Sequence, residues 1–302
     1  MERRLKDYVV LMLKGMGMGA ADVVPGVSGG TIAFIVGIYD ELIDSIKNIN
    51  LTSLKLLFTG RFAAFWKAVN ANFLLSILCG IGVSVFSLAK LITYLLDNQP
   101  ILVWSFFFGL VLASACFVSK DIKEWNWKTV SGLLAGVAVA FYITVATPAE
   151  TSTQLWFIFL CGAVAICAMI LPGISGSFIL LLMGKYSYIM GAVKELNVLV
   201  LGVFAAGALV GITSFSHILS YALKCFRNLT LAVLTGFMLG SLNKVWPWKV
   251  VDRFYTDSHG VQKALVEHNV WPGEQLLPAI LLAVVGFGLV YGLEKVSAKA
   301  ER

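Results

Sequence analysis

The sequence predicts an all-α polytopic membrane protein: two inverted-topology repeats of five helical segments, each opening with a re-entrant hairpin broken at Pro-Gly-x-Ser-Gly. Three observations predict it. Hydrophobic residues make up 59% of the 302 residues and charged residues 13%, with mean hydropathy +0.86; a soluble domain carries about 25% charged residues. Apolar runs reach or approach the roughly 20 residues that cross a bilayer, and they are continuous, unlike the alternating strands of a barrel. A six-residue break, Pro25-Gly26-Val27-Ser28-Gly29-Gly30, recurs as Pro172-Gly173-Ile174-Ser175-Gly176-Ser177. Both copies fall inside apolar runs, where Pro and Gly weaken a helix.

Segment one is expected over about 8–24 and segment two over about 31–46, flanking the first break. Each is about 23 Å long as a helix, short for a core of about 30 Å, so the two form a hairpin that enters and leaves on one side. Irregular backbone at that depth must be buried in protein or line a wet cavity. The loop over about 47–72 carries Lys47, Lys55, Arg61 and Lys67 with apolar clusters, the pattern of an interfacial helix. Segments three, four and five follow at about 73–96, 101–119 and 130–146. The second half repeats the order: segment six at about 155–171, the break, then seven to ten at about 178–193, 198–223, 229–245 and 276–294. A polar loop precedes segment ten. The repeats divide as residues 1–147 and 148–302.

The duplication holds outside the breaks. Gly37 and Tyr39 match Gly184 and Tyr186, and in the next segments Gly80, Ser87, Lys90 and Tyr94 match Gly207, Ser214, His217 and Tyr221. The spacing between copies changes because the loop after segment two is longer, as between copies of a duplicated unit. An odd number of crossings per half puts the halves in opposite orientation. The basic residues of the N-terminus, the 47–72 loop, the 120–128 connector, Lys224, Arg227 and the C-terminal tail fall on one side, so both termini are expected in the cytoplasm. If each broken helix is instead one discontinuous span, the repeat is parallel. The short basic N-terminus has no convincing cleavage site after it, so the first segment is expected to be retained.

A helix that starts in mid-membrane presents unpaired N–H groups and partial positive charge. Ser28, Gly29, Gly30 and Thr31 open one such helix and Ser175, Gly176 and Ser177 the other. With Pro25, Gly26, Pro172 and Gly173 making the breaks, the pair forms a cradle for a small anion such as phosphate or carboxylate. Lys14, inside a hairpin helix, is either functional or a snorkelling lysine. Asp22 precedes only the first break and reads equally as a proton or cation site or as a helix cap. Lys90, Lys185 and His217 are further charge partners, with snorkelling the competing reading for Lys90 and His217. The recurring glycines read as close helix packing and the five cysteines as buried small hydrophobes. With three His and no metal-ligand spacing or nucleophile constellation, neither a metal, a cofactor, nucleic acid nor catalysis is expected.

The stretch Gly19-Ala20-Ala21-Asp22-Val23-Val24-Pro25-Gly26-Val27-Ser28-Gly29-Gly30-Thr31-Ile32-Ala33, with Leu171-Pro172-Gly173-Ile174-Ser175-Gly176-Ser177, resembles the hallmark of a bacterial and archaeal membrane family long called a domain of unknown function. That family is associated with polyprenyl-phosphate transport (the PopT type). The resemblance covers nearly the whole chain. It implies a flippase of the bacterial inner membrane that returns undecaprenyl phosphate, the carrier lipid of cell-wall peptidoglycan assembly, to the cytoplasmic leaflet. The headgroup would dock between the two breaks with the prenyl tail in membrane lipid. Coupling to H+ or Na+ rests on Asp22 and Lys14. The main rival is a secondary transporter of a small soluble anion; a lipid-phosphate enzyme and a scaffold for cell-wall enzymes are weaker alternatives.

Overall fold

The computed structural model describes residues 3–24, 27–148, 151–256 and 262–300. The first half runs α1 (Leu5–Asp22), α2 (Gly29–Ile35), α3 (Tyr39–Lys47), α4 (Leu51–Phe58), α5 (Phe62–Ala68), α6 (Ala71–Asn98), α7 (Pro100–Lys120) and α8 (Trp127–Val145). The second runs α9 (Leu155–Ile170), α10 (Gly176–Leu182), α11 (Tyr186–Lys194), α12 (Val198–Cys225), α13 (Arg227–Ser241), strands β1 (Lys249–Thr256) and β2 (Gln262–Asn269), and α14 (Leu276–Ala300). Elements recur in length and register: α2 and α10 have 7 residues each, α3 and α11 have 9, and α6 and α12 have 28. Among the described residues, five helices are long and apolar enough to cross a membrane: α6, α7, α8, α12 and α14. The bent pair α10 and α11 brings the total to six if it counts as one span.

Two expectations are corrected. Segments two and seven are each two helices, and α11 turns 110° away from α10. Gly37 (φ +70°) and Gly184 (φ +62°) make the corner in the left-handed region that side chains avoid. The polar loop before α14 contains an antiparallel hairpin, in which Lys249 pairs with Asn269 and Val250 with His268. The 47–72 stretch is helical as expected; Asn50 caps α4 by accepting from the N–H groups of Thr52 and Ser53.

Four tight helix pairs build the body: α1 with α6, α9 with α12, α7 with α14, and α8 with α13. Each contact is backbone against backbone at glycine. A Cβ on Gly80 would collide with the Met12 carbonyl, on Gly207 with Phe159, on Gly109 with Ala283, and on Gly236 with Leu133. Apolar packing gives no net drive between helices in lipid, so close van der Waals approach holds such pairs. The large exposed side chains on these helices, Phe86, Leu134 and Val284 among them, then suit a lipid environment.

The main buried cluster gathers the first hairpin (Val24, Val27, Ile35, Tyr39) with α7 and α13. The second hairpin is held in smaller clusters around Ile158 and Cys161. At the end carrying the N-terminus, α3 is tied by ions to both halves. Glu41 bonds Arg3 (2.6 Å), Asp44 bonds Lys224 (2.8 Å) and Asp40 bonds Arg227 (2.9 Å).

Candidate functional site

The first break is closed on itself. Asp22 is the last residue of α1, and its Oδ1 accepts from the Gly29 N–H at 2.7 Å. Ser28, extended at φ −123°, is the N-cap of α2; its Oγ accepts from Gly30 N–H at 3.1 Å and donates to the Met169 carbonyl at 2.8 Å. The first two amides of α2 therefore already meet an anion and a hydroxyl. The Asp22 contact with Gly29 has the geometry of a helix cap. Ser28 and Thr31 are fully buried. Pro25 and Gly26 lie outside the described residues.

The two breaks touch. The Tyr39 hydroxyl donates to the Ile170 carbonyl at 3.1 Å, so Tyr39 and Ser28 satisfy the last two carbonyls of α9, which lack helical partners. In the other direction, Gly173 N–H donates to Thr31 Oγ1 at 3.0 Å. A Cβ on Gly30 would stand 2.5 Å from the Ile170 oxygen, and one on Gly173 would stand 2.6 Å from Ser241 Oγ of α13. Neither Gly30 nor Gly173 has room for a side chain.

The second break is open by comparison. Met169 stands where Asp22 stands in the first copy, against the Cα of Gly176. Ser175 Oγ pairs with Ser177 Oγ at 2.7 Å, and no side chain caps the first turn of α10 among the described residues. Pro172, Gly173, Ser175 and Gly176 are buried, while Ser177 is exposed. The next residue, Phe178, lies beneath the Lys244 ammonium, 4.8 Å from ring centroid to Nζ.

The remaining predicted partners lie elsewhere. Lys14 Nζ donates to the Val36 carbonyl at 2.6 Å, at the corner between α2 and α3. Lys185, only 4% exposed, donates to the Thr151 carbonyl at 2.6 Å at the matching corner. Both lysines thus hold hairpin corners. Lys90 and His217 are exposed on α6 and α12, with the His217 ring against the Thr213 carbonyl one turn back.

Sequence reasoning missed a charged pocket beside Phe178. Lys244 and Lys249 share one oxygen of Glu267, at 3.0 and 3.7 Å. Burial pushes the Lys249 ammonium down to about 8; Lys244 adds to this and Glu267 opposes it. The Glu267 carboxyl is held below its ordinary value by the two lysines, against its own desolvation. The spacing of Lys244 and Lys249, interleaved with Trp246 and Trp248, was the available signal.

Helices that stop and restart inside a bundle of helices long and apolar enough to cross a membrane are an arrangement that many polytopic membrane transporters share. Residues 18–263 match the VCA0040-like family, described as undecaprenyl phosphate translocase-like. A polyprenyl-phosphate transporter of Vibrio cholerae is 45% identical over 308 residues, covering 99% of this chain and all of that one. One of Staphylococcus aureus is 37% identical over 254 residues, covering 78% of this chain and 85% of its own. No solved structure matches the chain. The chain belongs to the undecaprenyl phosphate translocase-like family, as its double signature implied.

Proposed function

We propose that this chain moves polyprenyl phosphate across the bacterial cytoplasmic membrane, from the outer to the cytoplasmic leaflet, binding the phosphate where the two broken helices meet. The observation that carries the reading is the contact of the breaks combined with their inequality. α10 begins with amides that no side chain caps, next to exposed Ser177. α2 begins with a Gly29 amide that already holds the Asp22 carboxylate and a Gly30 amide bonded to Ser28. A phosphate arriving at Ser175–Ser177 completes its shell by taking the place of Asp22 at the Gly29 amide. The prenyl chain stays in lipid. The names of the relatives supply the substrate class.

Inverted repeats are supported by where equivalent helices begin. Asn70, just before α6, bonds Glu41 at the end where Arg3 lies, and Lys224 near the finish of α12 bonds Asp44 at that same end. The matched helices α6 and α12 thus run in opposite senses. The cross-pairing of α7 with α14 and α13 with α8 is what a two-fold exchange of halves produces. Cations gather at the end of both termini, which the positive-inside bias assigns to the cytoplasm. The α3 ion pairs close this end, and rocking of the hairpins exchanges access.

The test is leaflet exchange of a fluorescent prenyl phosphate in proteoliposomes. Ser175→Ala with Ser177→Ala is expected to slow exchange about a hundredfold, the loss of two hydrogen bonds to a charged group taken at the low end, while the melting temperature stays near wild type. Undiminished exchange by that variant removes the breaks from the substrate path.

A further inference from the structure

Between the β-hairpin and the helix ends lies a cavity of about 290 Å³ that the proposed path does not use. Thr144, Phe178, Lys244, Lys249, Glu267 and Asn269 are among its walls. We propose that it is a second anion site, taking a phosphate group, either a phosphomonoester headgroup or inorganic phosphate, in place of the Glu267 carboxylate.

The charges do not balance. Two ammonium groups converge on a single oxygen, Oε2 of Glu267, at 3.0 and 3.7 Å. The Lys249 side chain is only 7% exposed and that of Lys244 only 17%. Asp252 also faces the cavity, but it is bonded to His268 at 2.8 Å and neither lysine pairs with it. Both lysines are aimed by aromatic faces: Lys249 Nζ is 4.0 Å from the Trp104 ring centroid and Lys244 Nζ 4.8 Å from that of Phe178. Lys249 also donates to the Lys244 carbonyl at 2.5 Å. Two fixed ammonium groups with one carboxylate leave one buried charge undercompensated, a costly arrangement. A doubly charged phosphate has three oxygens to share between them and matches the pair better than one carboxylate oxygen does.

The location gives the site a use. Its floor is Phe178, the residue after Ser177 of the open break. Its walls come from the end of α8 and from the hairpin, opposite the end closed by the α3 ion pairs. The cavity is too small for a long prenyl chain, so only a headgroup enters. Phe178 itself belongs to the first turn of α10, two residues after Gly176. This use rests on the proposed transport reading; the anion site itself does not.

The experiment is calorimetric titration of the full chain in detergent with inorganic phosphate and, separately, with geranyl phosphate. Glu267→Gln removes the competing carboxylate and is expected to tighten phosphate binding several-fold. Lys244→Gln and Lys249→Gln are each expected to weaken it about tenfold or more. Affinity for geranyl phosphate well above that for inorganic phosphate identifies a lipid headgroup as the ligand; equal affinities identify free phosphate. If Glu267→Gln binds no tighter than wild type, the three side chains merely pin the hairpin and the proposal is overturned. If Ser175→Ala with Ser177→Ala abolishes binding while the lysine variants retain it, the phosphate sits at the break instead. That outcome overturns this pocket and leaves the transport reading standing.

Discussion

At the start of α2, the Gly29 and Gly30 amides are occupied by Asp22 and Ser28, and the surrounding residues are buried. At the start of α10, seven residues long like α2, Met169 replaces the carboxylate, Ser175 turns to Ser177, and Ser177 is exposed. The same motif is thus capped by side chains in one half and, among the described residues, left uncapped in the other. The same inequality extends along the hairpins. α3 is tied to α12 and α13 through Asp44 and Asp40, and its hairpin forms part of the main core. α11 leaves Tyr188, Val193 and the following Leu196 exposed. On the transport reading proposed above, this inequality is what rocking of one repeat against the other would exchange.

The comparison breaks most visibly where backbone must pass backbone. Gly30→Leu drives a side chain into the Ile170 carbonyl and is expected to abolish leaflet exchange and destabilise the fold by about 3 kcal/mol, the upper range for overpacking. Gly191→Ala, where a Cβ meets nothing within 4 Å, is the control and should melt with wild type. Equal melting of the two variants would show that the breaks are not tightly apposed.

The capping difference comes next. Asp22→Ala strips the carboxylate from Gly29 and should cost about 1–2 kcal/mol, read as a lowered melting temperature. Met169→Ala loses apolar contact but no hydrogen bond of its side chain, so a shortened Met169 should leave the first turn of α10 as it is. Placing a carboxylate there by Met169→Asp should cap α10 and obstruct anion binding at the second break. If Met169→Asp transports like wild type, the open break is not where the headgroup docks.

Ser28→Ala and Ser175→Ala sharpen the contrast on a smaller scale. Ser28 joins Gly30 to the other half through Met169, so its loss should lower stability by about 1 kcal/mol. Among the described residues the Ser175 hydroxyl bonds that of Ser177, within the same half, and its loss should affect exchange more than melting. The smallest effect is expected from Lys224→Ala. Its ion pair with Asp44 is well exposed and worth at most about 0.5 kcal/mol, so the change should appear in the balance between closed and open ends, measured by accessibility of a cysteine placed on α3.

Much of the architecture was legible because its signals are local. Apolar run length gave the spanning helices, with α7, α8 and α9 starting within three residues of expectation, and Pro-Gly marked both interruptions. The corners at Gly37 and Gly184 were present in the repeat as matched glycines, but a single Gly in an apolar run is also tolerated within a helix, so its left-handed backbone was not readable. The β-hairpin was hidden because Lys249–Thr256 mixes charges and aromatics without clean alternation, and its register is interrupted near Arg253. Asp22 was ambiguous because a carboxylate seven residues from Gly29 meets that amide only once the break folds back.

What the sequence determined by itself was membrane class, duplication, the place of each break and the membership that the double signature carries. These follow from composition, run length and local backbone preference, which act within a few residues. Only the tertiary structure decided that the breaks meet through Ser28, Tyr39 and Thr31, that one is capped and the other open, and that Lys244, Lys249 and Glu267 converge beside Phe178. Those contacts join residues as much as 142 positions apart. Their energies depend on distance and burial, quantities that exist only after the two halves have packed.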